Sequence, residues 1–152
     1  MNGAPGPAAE RLDLQERALD DLLAALGLPF EEPDDPRVAR LAERHPHYPQ
    51  YHRIGHKRQT AYRALAADRS LTRTHEDAVY RALVHDDDPS SPRWLAAVLV
   101  TATGARRLQD RLLTTLATGT SHERTCAARA WRWADADPAD PRYIALLPRS
   151  GE

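Results

Sequence analysis

The chain has 152 residues, 21 basic and 22 acidic side chains and a formal net charge of −1, which suits one domain with a real core. The balanced charge argues against a dedicated nucleic-acid binder, because duplex affinity rests largely on neutralising phosphates with a basic surface. A single cysteine, Cys126, excludes an intrachain disulfide, and no apolar run approaches the ~20 residues that span a bilayer.

One Phe, two Ile and five Val stand against abundant Ala and Leu, so the composition favours helices over sheet throughout. The opening segment lacks the basic start and apolar core of a signal peptide, and a soluble cytoplasmic protein is expected. Residues 1–7 carry too little apolar surface to order themselves and read as a loose tail, as do residues 148–152, leaving a single helical domain over 8–147.

From about Ala8 to Leu26, leucines 12, 19, 22, 23 and 26 recur at helical spacing, with Gly27 placed to close the helix. This stripe is expected to lie on the core, with homodimerisation through the 8–27 helix as the alternative. Asp35 and Pro36 form an N-cap and first-turn pair for a short helix carrying Val38, Leu41 and Ala42 inward. Pro46 and Pro49 interrupt any earlier helix, and a helix from about Pro49 to Ala67 buries some of Tyr51, Ile54, Ala61, Tyr62 and Leu65. Thr74 is expected to cap the next helix, with Asp77 as its capping-box acid and Val79, Ala82 and Leu83 inward. That helix runs into the acidic segment His85–Pro89.

Ser91 and Pro92 start a very apolar helix over Arg93–Thr103, ended by Gly104. Leu108, Leu112, Leu113 and Leu116 mark the following helix. Thr120 and Glu123 form a capping box for Ser121–Ala134, which turns Ala127, Ala130 and Trp131 inward. Cys126 on this helix reads as a buried, inert thiol. The last apolar residues, Tyr143, Ile144, Leu146 and Leu147, supply one docked turn.

Two segments carry the chemistry. Four of the seven histidines fall within Arg44–Gln59, and there His52 and His56 lie four apart on one helical face, where two imidazoles can approach one metal. In the second segment His85 and Asp86 are adjacent and point about 100° apart on a regular helix. They can share one ion only in a groove near a helix end, which is where Pro89 places them. Three aspartates at a helix C-terminus oppose the helix dipole, a local conflict of the kind that marks a site.

Together these segments resemble the HD superfamily of metal-dependent phosphohydrolases, in the small branch whose first motif reads Tyr-His-Asn-Leu-x-His. Here that motif is Tyr51-His52-Arg53-Ile54-Gly55-His56, and an apolar helix leads into His85-Asp86, 29 residues after His56. The resemblance implies an all-α fold with an HD-like core over about 38–118. It also implies a divalent metal (Mn, Fe, Co, Ni or Zn) held by His56, His85 and Asp86. The family's fourth ligand, an aspartate on a later helix, has no clean match: Asp110 is the only acid between Pro89 and Glu123, while Thr115 sits nearer to where the family places an acid. His52 and Asp86 would take the catalytic roles, while Arg53, which replaces the motif's asparagine, and Lys57 would hold the phosphate of a small phosphorylated substrate. No membrane or nucleic-acid partner is expected.

The C-terminal half resembles something else. HEDAVYRALVHDDDPSSPRWLAAVLVTATG and ARRLQDRLLTTLATGTSHERTCAARAWRWAD each read helix–turn–helix, and HERTCAARAWRWA is similar to the second helix of a HEAT repeat. This implies the competing reading: a short HEAT-like α-solenoid, or a degenerate HD domain, acting as a non-catalytic module that binds a protein or peptide partner.

Overall fold

A computed structural model describes residues 6–148, and it is helical throughout, with nine α-helices and no strand among those residues. Helix α1 (Pro7–Ala25) begins at its proline and closes at Gly27, which adopts φ +67°. Its stripe is turned into the protein: Ala18, Leu19, Leu22 and Leu23 are buried where α1 lies across α3 (Tyr48–Ala67) and α5 (Glu76–Leu83), leaving Leu14 exposed. The expected loose tail 1–7 falls largely on residues outside the described range, and Pro7 itself starts the helix.

The Asp35 carboxylate caps α2 (Pro36–Ala42) by accepting the Arg37 N–H at 2.9 Å. This helix buries no residue fully, and Leu41, expected inward, is exposed because α2 rests only on the outer side of α3. On α3 the inward set is Ile54, Lys57, Ala61 and Leu65.

The stretch after α3 departs from expectation. Asp68 caps an additional helix, α4 (Arg69–Thr74), through the N–H groups of Ser70 and Leu71. Thr74 therefore ends α4, its hydroxyl donating to the Ser70 carbonyl, and does not cap α5, which starts after His75. The buried hydroxyl of Thr72 donates to the Leu65 carbonyl and ties α4 back onto α3.

Helix α6 (Pro92–Thr103) is central, meeting α3, α4, α5, α7 (Ala105–Thr118) and α8 (Ser121–Trp131). Leu95, Ala96, Leu99, Leu108, Leu112 and Leu116 fill the core between these helices. The Thr120–Glu123 capping box forms as expected. Helix α8 is shorter than its periodicity suggested: Asp135 turns to φ 52° and the Trp131 indole donates to the Asp137 carbonyl at 2.9 Å. Helix α9 (Pro141–Leu146) docks by stacking Tyr143 on Trp131, ring centroids 4.7 Å apart. No helix among the described residues is long and apolar enough to cross a membrane.

Candidate functional site

The acidic segment after α5 is a junction in which successive residues reach different helices. The His85 ring takes a 2.7 Å contact from Nδ1 to the Arg81 carbonyl and turns Nε2 toward Glu123, 3.8 Å away on α8. Asp86 is 1% exposed. Its Oδ1 accepts the Asp88 N–H at 3.1 Å, while Oδ2 lies 3.0 Å from Arg58 Nε on α3, off the line of a hydrogen bond. Burial pushes the Asp86 carboxyl up to about 6 against the pull of the Arg58 charge.

Asp87 accepts from Arg11 Nε on α1 at 3.2 Å, and its carbonyl accepts from Arg129 on α8. Asp88 accepts the N–H groups of Ser90 and Ser91 at 2.9 and 3.1 Å and the Tyr51 hydroxyl at 3.0 Å. Burial alone would raise the Asp88 carboxyl, but these donors bring it down to about 2. The acids at this helix C-terminus thus find donors beyond their own helix, and Asp88 binds the turn at Ser90 and Ser91 that leads into α6.

The residues expected around a metal each have partners of their own. His56 Nε2 faces His52 Nε2 at 3.2 Å, on the side of α3 where His52 comes within 3.8 Å of Asp35. Arg58, which meets Asp86, stands two positions from His56 and hence about 200° around the helix. Asp110 is exposed on α7, 3.9 Å from Arg142. Among the described residues no group of three or more His, Cys, Asp or Glu side chains is arranged to hold a metal ion.

The expected phosphate-holding pair is likewise engaged. Arg53 forms a two-pronged contact with Glu16 of α1, its Nη2 donating at 2.8 Å, and Lys57 Nζ donates to the same carboxylate at 2.8 Å and lies 2.6 Å from Asp20. Lys57 is buried between these acids. The Arg53 hydrogen bonds, assisted by Lys57 and Gln50, hold Glu16 down to about 2 despite burial. This network fastens α1 to α3.

A different side of α3 carries an open cleft. Gly55, Arg58, Gln59, Tyr62 and Arg63 of α3, with Trp94 of α6, line a cavity of about 300 Å³. Tyr62 and Trp94 meet edge to face with ring centroids 5.0 Å apart, and the Arg93 guanidinium lies 4.6 Å over the indole. Trp94 is 39% exposed. A Cβ added at Gly55 would meet nothing within 4 Å, so no packing contact demands glycine there. Inside a helix glycine costs about 1 kcal/mol relative to alanine; its effect at this position is to keep the cleft floor open. The Arg58 charge is partly offset by Asp86, while Arg63 and Arg93 are in no ion pair among the described residues.

Sequence reasoning placed Tyr62 in the core and Trp94 inside an apolar run, and so missed this cleft. The available signal was the spacing of Gly55, Gln59 and Tyr62, one helical face without an aliphatic residue, beside an Arg-Trp pair in the first turn of the next apolar helix. Compared with family models, with curated proteins and with solved structures, the chain matches none.

Proposed function

We propose that this protein is a non-catalytic helical interaction module that receives an acidic, aromatic-bearing peptide segment of a partner protein in the cleft between α3 and α6. The observation that carries this reading is the exposed Trp94, set against Tyr62 and surrounded by Arg58, Arg63 and Arg93. Tryptophan, tyrosine and arginine are the residues that dominate binding energy at protein interfaces, because each buries a large area and keeps a polar handle. A cavity of about 300 Å³ takes one or two side chains of a peptide. The guanidinium groups select for carboxylates nearby, and the Tyr62–Trp94 pair offers an aromatic surface for an aromatic side chain to pack against.

The hydrolase implied by the HD resemblance would need His56 beside His85 and Asp86. Asp86 is instead buried against Arg58, and this favours the binding module.

A glutamate–tyrosine copolymer, titrated into untagged protein by calorimetry, tests the proposal. Saturable binding that weakens with added salt and falls at least ~10-fold in Trp94→Ala is expected, the size of one interface anchor. Binding indifferent to Trp94→Ala, or no binding, overturns the proposal, and metal-dependent turnover of phosphoesters would favour the hydrolase instead.

A further inference from the structure

The two α3 imidazoles outside the cleft have a relation of their own. Helix α3 runs unbroken through His52 and His56, so the four-residue spacing brings the rings together edge to face, with centroids 4.5 Å apart and the two Nε2 atoms 3.2 Å apart. Two nitrogens each about 2.0–2.1 Å from one tetrahedral ion are separated by about 3.3–3.4 Å. The His52 side chain is 12% exposed and held between Tyr48, whose ring centroid is 5.9 Å away, and Asp35, whose Oδ2 lies 3.8 Å from its Nε2. Its Nδ1 is buried without a hydrogen-bond partner, so the ring's polar contacts all gather at Nε2.

We infer that His52 and His56 form a two-imidazole site for a late first-row divalent cation, with Cu²⁺ bound more tightly than Ni²⁺ or Zn²⁺ and with Mg²⁺ and Ca²⁺ rejected. Water completes the coordination. Asp35, tied to Arg37 through both oxygens, contributes its charge from the side. The site shares only His56 with the set that the HD resemblance implies, and it is independent of the peptide cleft.

Untagged protein is titrated with Zn²⁺ and Cu²⁺ separately, against a chromophoric chelator of known affinity. Stoichiometric binding is expected, with Cu²⁺ the tighter. His52→Ala and His56→Ala should each weaken it at least ~30-fold, while His85→Ala and His122→Ala leave it unchanged. Circular dichroism on each variant confirms that the helices persist. Absence of binding at millimolar Zn²⁺ and Cu²⁺ would mean that the imidazoles share only an N–H···N hydrogen bond, and affinity lost in His85→Ala instead would place the ion elsewhere; either result overturns the inference.

Discussion

Burial holds the Asp86 carboxyl near 6, above its ordinary 3.8, and this fixes the sign of its contribution to stability. A group whose folded pKa is raised binds its proton more tightly in the fold. The stabilisation is therefore full below about 4 and is lost as pH rises through about 6, to a total of ~3 kcal/mol. Asp86→Asn keeps an oxygen for the Asp88 N–H and cannot ionise. In denaturant titrations the stability of Asp86→Asn minus that of the wild type should grow by up to ~3 kcal/mol between pH 4 and 7.5. A constant difference would show that the Asp86 carboxyl is not shifted.

Glu16 behaves in the opposite sense. Its folded value of about 2 lies below the ordinary 4.5, so its stabilisation is present above 4.5 and is lost as pH falls toward 2. Glu16→Gln should cost ~2–3 kcal/mol at neutral pH and almost nothing near pH 2, because the loosened Arg53 and Lys57 lose a charge only while Glu16 is ionised. None of this was legible in the sequence. Arg53 and Lys57 read as free basic groups one and five positions after His52, and the acids that bind them lie about forty residues earlier on another helix.

At the scale of elements, local signals served well where the chain supplies its own partner. Asp35, the Thr120–Glu123 box, Gly27 and Gly104 all act where the sequence places them, since each needs only residues within one turn. Thr74 misled because Asp68, six residues earlier, offers a carboxylate to two N–H groups and starts α4 first. The turn between α7 and α8 is tighter than its sequence implies. A Cβ on Gly119 would stand 2.7 Å from the Thr115 carbonyl oxygen and 3.0 Å from Thr115 Cγ2. Gly119→Ala should therefore lower stability by ~1–3 kcal/mol through overpacking, and Thr120→Ala by ~1 kcal/mol through loss of the cap. Thermal denaturation of the two variants checks both figures. An unchanged midpoint for Gly119→Ala would mean that the α7–α8 turn yields without cost.

Across the whole molecule, the all-α architecture was readable because leucine and alanine periodicities report which face of each helix is covered. Which helices meet was not readable. The segment His85–Asp88 gathers α1, α3, α6 and α8 because its four residues point to four directions, a long-range fact without local spacing. The same holds for the cleft, where Tyr62 and Trp94 are brought together only by the crossing of α3 and α6. Trp94→Ala removes an exposed ring and should change global stability by under ~0.5 kcal/mol while removing peptide binding, a separation expected of an interface anchor and not of a core residue. Parallel loss of both in equilibrium unfolding and calorimetry would assign Trp94 to the core.

The most direct test of the α3–α6 cleft is a map of backbone amide shifts in isotope-labelled protein as the glutamate–tyrosine copolymer is added. Saturable shifts centred on Gly55, Gln59, Tyr62 and Trp94, including the Trp94 indole N–H, are the predicted result. Shifts centred on His85, Asp86 and His56 with the cleft silent, or no saturable shifts at all, would contradict it.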